Sequence, residues 1–258
     1  MTPEEEKASL KLERVIEIDA DPETVWRALT EGEELKRWFP LDARVTPGVG
    51  GAVWLSWGEG IDWETPITVW EPGKHLRTVD SPSQVAVDYY IESHGGKTVL
   101  RLVHSGFSAE SWDSEYDNLG AGWAAFLSNL KLYLEHHAGE PRTMVSYRHP
   151  PVEMPREEVF NRVMTALGLA GQELRKGGRY EATTIEGDAI AGEVSVYAPP
   201  VNFSGTVETL SNGFVIVEIE PGKTKVRPAI WLSLYGEAGK DAGALQGRIE
   251  SLLQRAFA

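Results

Sequence analysis

The chain has no cysteine among its 258 residues. That excludes disulfides, thiolate metal sites and cysteine nucleophiles together, and it suits a reducing compartment. Basic residues are scarce as well: 25 Lys and Arg stand against 39 Asp and Glu, a formal net charge of −14. No basic stretch supplies the electrostatic footprint that phosphates require, so nucleic acid is not an expected partner. Anionic membrane surfaces are disfavoured for the same reason, while a basic protein partner is compatible with this charge. No apolar run approaches the ~20 residues that span a bilayer. The segment Met1 to Leu10 is acidic and lacks the positive start and apolar stretch of a secretory signal. The expectation is a cytoplasmic protein without membrane insertion.

With 41% hydrophobic and 25% charged residues, the balance is that of a folded globular chain. The length suits one large domain or two ordinary ones. Residues 10–19 alternate as a first strand, with Leu12, Arg14 and Ile16 on one side and Val15 on the other. A helix follows, its start marked by Asp21 as N-cap, Pro22 in the first turn and Glu23 where the helix dipole favours an acid. Val25, Trp26 and Leu29 share its buried face. After Gly50-Gly51 come AVWLSW, ITVW, HLRTV, VAVDYYIES and KTVLRLVHSGF, strand-like segments separated by turn signals, which predict an antiparallel meander. Residues 108–118, rich in Ser and acids, read as a loop. The next segment repeats Trp123, Phe126, Leu127, Leu130 and Leu134 at helical spacing, so one face of a long helix is buried.

The proline-rich stretch Arg142 to Pro155 reads as a junction between domains. Beyond it the first part is echoed in order. Asp21 to Trp26 returns as Met154 to Phe160, Gly50-Gly51 as Gly177-Gly178, and the amphipathic helix as ALQGRIESLLQRAFA.

This order of elements resembles the START-like (SRPBCC) superfamily, and most closely its Hsp90 ATPase activator-homologue branch. The residues that carry the resemblance are Asp21-Pro22-Glu23-Thr24-Val25-Trp26, Leu35 with Arg37-Trp38-Phe39, Gly50-Gly51, Trp70-Glu71-Pro72 with Leu76, His104-Ser105-Gly106-Phe107, and Gly122-Trp123. It covers residues 10–140, with 142–258 as a faint second copy. The resemblance implies an α+β, helix-grip architecture, two domains in tandem, each a curved antiparallel sheet wrapped around a long C-terminal helix. A small hydrophobic or amphipathic ligand is then expected in the first domain, where eight of the nine tryptophans lie.

Trp26 and Trp123 sit on buried helix faces and read as core. Trp38, Trp54, Trp57, Trp63 and Trp70 are candidates for the cavity wall, with Phe39 and Phe126 beside them. Strand parity directs Tyr89 inward and Tyr90 outward, and turns Leu100, Leu102 and His104 to the interior. Trp54 and Trp57 have opposite parity, so one regular strand cannot direct both inward.

Catalytic and metal signals are poor. Gly48, Gly50 and Gly51 lack dinucleotide spacing, and Gly239-Lys240 lacks the phosphate-loop glycine and hydroxyl. His104 and Ser105 are strand neighbours on opposite faces and form no triad. His136 and His137 are too far apart around a helix to chelate one ion, and Asp113, Glu115 and Asp117 lack the glycine and closing Glu of a calcium loop. No cofactor, metal or catalytic residue is expected. His104 serves either as a polar contact or general acid for a ligand, or as a hydrogen-bonded structural histidine. Two other readings stay open: a chaperone-associated interaction protein, for which the resemblance offers no extra chaperone-binding domain here, and a cyclase- or aromatase-like enzyme that works by holding its substrate in shape.

Overall fold

A computed structural model describes residues 10–107, 109–222 and 224–258, without the side chains of 109–115. The expectation for the N-terminal segment lies outside the described residues apart from Leu10. The chain divides into two compact units, residues 1–116 with 126–139, and 117–125 with 140–258.

The first unit is built on one antiparallel sheet. Its strands are β1 (Lys11–Ile18), β2 (Asp42–Thr46), β3 (Ala52–Ser56), β4 (Asp62–Glu71), β5 (His75–Val79), β6 (Ala86–His94) and β7 (Lys97–Ser105), in the order β1-β7-β6-β5-β4-β3-β2. Helix α1 (Pro22–Thr30) and the short α2 (Gly32–Leu35) leave β1, and the long α3 (Ala109–His136) follows β7. Asp21 caps α1 as expected, its carboxylate accepting from the backbone N–H of Glu23 and Thr24 at 3.0 Å each and from the Thr24 hydroxyl at 2.7 Å. Trp26 is buried and meets Trp70 edge to face at 5.0 Å.

Helix α3 begins at Ala109, so the loop expected over 108–118 is helical backbone from its second residue. Serines and acids favour caps and turns without excluding a helix, so their abundance does not by itself mark a loop. The side chains of Asp113 and Glu115, named above for a calcium loop, lie outside the described residues. Toward its C-terminal end α3 is clamped onto the unit. The Asn129 amide donates to the Trp38 carbonyl at 2.7 Å, Lys131 donates to the Glu17 carbonyl, and the Tyr133 hydroxyl donates to Glu34 at 2.6 Å.

The outer sheet face carries a polar network. Asp88 is 2% exposed, and its carboxylate is held by His75 Nε2 at 2.7 Å and Arg77 at 3.1 Å. His75 stacks on Tyr90, over which Arg101 lies at 4.0 Å. A buried carboxylate is tolerated only when partnered in this way, and loss of one partner would leave a costly charge.

The second unit repeats this topology with one strand fewer. Strands β8 (Arg142–Arg148), β9 (Arg179–Thr183), β10 (Ala189–Ala198), β11 (Asn202–Val207), β12 (Gly213–Glu220) and β13 (Arg227–Tyr235) run in the order β8-β13-β12-β11-β10-β9. Helices α4 (Arg156–Ala166) and α5 (Ala242–Ala256) follow β8 and β13. The stretch read as a junction therefore begins with a strand of the second sheet, because RTMVSYR pairs with β13 in spite of the prolines behind it.

The repeat can be followed residue by residue. Gly50 donates to the Ile67 carbonyl while Ile67 donates back to Gly51, and Gly177, Val194 and Gly178 make the same pair of bonds. The ladder then shifts between Ile67 and Val69 in one sheet and between Val194 and Val196 in the other. A β-bulge at the same place in both copies fixes their alignment. At Gly51 a Cβ would collide with the Thr46 carbonyl, which explains the glycine as a close approach of backbones.

Replacing Asp21 with alanine is expected to lower stability by about 1 kcal/mol, the usual value of an N-cap. Hydrogen bonds to its carboxylate hold the Asp21 pKa below the ordinary value. The ionised cap therefore stabilises above the unfolded-state pKa and fades as pH falls through the folded one. Urea unfolding of the wild type and Asp21→Ala at neutral pH and near pH 3 checks both, with the difference shrinking in acid.

Candidate functional site

Cross-strand pairing in the first sheet sets side chains in rows. On the inner face, Leu76 of β5, Tyr89 of β6, Leu102 of β7 and Arg14 of β1 stand directly opposite one another in sequence. The next row is Thr78, Val87, His104 and Leu12. Directly paired side chains lie about 5 Å apart and diagonal ones about 7–8 Å. Tyr89, His104 and Arg14 are thus three polar groups set among Leu12, Leu76, Leu100 and Leu102, all of which are buried.

Burial alone pulls the His104 pKa from its ordinary 6.5 down to about 4, so the imidazole is neutral at physiological pH. The residue as a whole is nevertheless only partly buried. Tyr89 is pushed above its ordinary phenol value by the same desolvation and keeps its proton. A neutral imidazole and a protonated phenol offer hydrogen bonds without charge. His104 also meets the Phe107 ring at 4.7 Å.

The other candidate residues divide. Phe39 is a centre of contact, with Trp38 stacked on it at 5.0 Å, Trp57 edge-on at 5.2 Å and Phe126 edge-on at 4.8 Å. Trp38 itself is fully buried, its indole N–H donates to the Ala28 carbonyl at 2.9 Å, and it serves as packing between helices. Trp57 carries the aromatic chain on to Trp63 at 4.8 Å, and Trp63 is 54% exposed. Trp54 pairs across with Arg44 and Glu64 on the outer face and lies under the Arg44 guanidinium at 3.8 Å. Between Trp54 and Trp57, then, it is Trp57 that turns toward Phe39. Trp70 is half-buried, beside Trp26.

Two features were missed in the sequence. Arg14 had been grouped with Leu12 and Ile16 by alternation, but alternation does not say which side of an edge strand faces inward. The outer network around Asp88 brings together residues far apart in sequence, and only register shows it.

The second unit shows what the same positions become in another copy. The bulge alignment sets Phe203, Val217, Ile230 and Tyr147 where the first unit has Leu76, Tyr89, Leu102 and Arg14, and Leu232 where it has His104. Val217, Ile230, Leu232 and Phe203 are buried in one apolar cluster. Among the described residues this unit also has a surface groove of about 620 Å³ along α4 and α5, but its cations are engaged, Arg162 by Glu158 and Arg255 by Glu186. No group of three or more potential metal ligands occurs among the described residues, and no described helix is long and apolar enough to cross a membrane.

Residues 19–135 match a protein family described as Activator of Hsp90 ATPase homolog 1-like protein. No curated protein matches the chain. Similar solved structures include the Aha1 dimer from Colwellia psychrerythraea, 24% identical over 50% of this chain and 98% of that one, with a TM-score of 0.45. Two others span nearly the whole chain. DynU16, from the dynemicin biosynthetic locus, is 17% identical over 96% of both chains at a TM-score of 0.43. The di-domain ARO/CYC BexL of the BE-7585A biosynthetic pathway is 14% identical over 95% of this chain and 97% of that one, at 0.44.

The depressed His104 pKa has a consequence for stability. Between pH 6.5 and about 4 the unfolded chain takes up a proton that the folded one refuses, so stability falls as pH drops through that window. Urea unfolding at pH 7 and 4.5 is expected to show an acid loss greater by roughly 2 kcal/mol in the wild type than in His104→Gln.

Proposed function

We propose that the first unit, a START-like domain whose residues 19–135 match the Hsp90-ATPase-activator-homologue family, binds a small hydrophobic or amphipathic molecule against the inner face of its sheet. One observation carries this reading. At equivalent positions of two copies of one fold, the first holds Tyr89 and His104 and the second holds Val217 and Leu232. A sheet face that only has to close a core is best lined with apolar side chains, and the second copy is so lined. The first copy instead keeps two polar side chains in these rows, which closing a core does not require. A ligand with a polar end among the apolar side chains is what such a surface accommodates.

The aromatic chain from Phe39 through Trp57 to Trp63 leads from the interior to exposed surface, its rings edge to face, and it supplies an apolar route for such a molecule. Phe126 of α3 closes over Phe39 from the helix side. The second unit is then a companion of the same fold without a site of its own on the corresponding face.

Native mass spectrometry of protein purified from its own host, looking for a retained small molecule, tests the reading together with tryptophan fluorescence titration against a hydrophobic ligand panel. His104→Trp, which adds bulk to the inner face in the row next to Tyr89, is expected to weaken binding about tenfold or more by steric exclusion. Tyr147→Trp, at the position in the second unit that corresponds to Arg14, should leave it unchanged. A chain that retains nothing and responds to no member of the panel would remove the proposal.

A further inference from the structure

Arginine is engaged almost everywhere in the first unit. Of its six arginines, Arg27 pairs with Glu31 at 3.0 Å, Arg37 with Glu34 at 2.7 Å and Arg77 with Asp88 at 3.1 Å. Arg44 lies over Trp54, and Arg101 over Tyr90 with Glu13 at 3.8 Å. Arg14 differs. No carboxylate among the described residues lies within ion-pair distance of it, and its side chain bonds the neighbouring Glu13 carbonyl at 3.0 Å. This is unexpected in a chain with a net charge of −14, where an acidic partner is seldom far away.

Its position is equally distinctive. Arg14 is partly buried on β1, on the same face as the buried Leu12 and Ile18, directly across from Leu102 and diagonal to His104. Beyond Leu102 in the same row is Tyr89. Neither Tyr89, which keeps its proton, nor His104, which stays neutral, contributes charge at physiological pH. The inner-face charge in these two rows therefore belongs to Arg14, at the edge strand, with an apolar bed of Leu12, Leu100 and Leu102 beside it. In the second unit the same position holds Tyr147, and the face it belongs to has lost the other two polar groups as well.

We infer that Arg14 is the anchor for an anionic head group, and that the ligand of the first unit is a hydrophobic acid: an apolar body carrying one carboxylate or similar oxyanion. This deepens the proposed function and rests on it. The guanidinium offers a planar fork of N–H donors that matches two oxygens of such a group. Desolvation beside the leucines strengthens that bond relative to water, while the chain's acidic surface repels anions that cannot reach Arg14. Tyr89 and His104 can then donate or accept at a second polar point of the ligand.

The test uses two fluorescent probes with the same aromatic body, 8-anilinonaphthalene-1-sulfonate and the uncharged N-phenyl-1-naphthylamine, titrated into the full chain. The wild type should bind the sulfonate about tenfold more tightly than the neutral probe, the scale of one charge-assisted hydrogen bond. Arg14→Gln should lose that preference while keeping its affinity for the neutral probe, and Arg14→Lys should restore part of it. Equal binding of both probes by the wild type overturns the Arg14 assignment and leaves the cavity standing. Preference for the sulfonate that survives in Arg14→Gln overturns it too, by locating the anion elsewhere. Loss of both probes alike in Arg14→Gln overturns it by assigning the residue to the fold of β1. Binding of neither probe by the wild type removes the cavity reading and the anchor with it.

Discussion

The register in which β1, β7, β6 and β5 pair governs everything else in the first unit. A shift of one residue in any pair would exchange the two faces, sending Tyr89, Leu102 and His104 to the outside and Tyr90, Arg101 and Asp88 to the core. Both faces oppose such a slip. The inner face would lose its leucines to water. The outer face would break the bonds from His75 and Arg77 to Asp88 and bury a bare carboxylate. Turn glycines and the bulge after Ile67 hold the remaining strands in step.

That constraint also explains why two copies of one fold can differ in the side chains they carry. The second sheet keeps the bulge, the paired bonds at Gly177-Gly178 and the strand order, which are backbone properties. It changes the side chains of the inner rows, which the backbone does not dictate. Val217, Ile230 and Leu232 close a continuous apolar cluster there. In the first unit, Tyr89, His104 and Arg14 stand at the corresponding positions, so the same backbone carries polar side chains there. The pair of units thus separates what the fold requires from what it leaves free to vary.

Several details are legible in the amino-acid sequence alone. The N-cap at Asp21, the meander, the inward parity of Tyr89, Leu102 and His104, and the repeat signalled by the two Gly-Gly pairs all rest on local rules of spacing and turn chemistry. Where an expectation failed, a longer-range fact had intervened. Helix α3 starts at Ala109 although the Ser and acid content of 108–118 resembles a loop, and RTMVSYR became a strand because β13 lies beside it. The anchoring of Trp38 is long-range as well: its indole bonds the Ala28 carbonyl of α1, and Asn129 of α3 bonds its own carbonyl.

The amino-acid sequence by itself determined the periodicities, the caps and turns, the acidic balance and the enrichment of tryptophan in the first half, because each depends on residues adjacent in the chain. Tertiary structure alone decided which side of β1 faces inward, which tryptophan turns toward Phe39, and which arginine has no acid beside it among the described residues. Those answers depend on cross-strand register and on partners many positions away, and alternation along one strand carries no information about either.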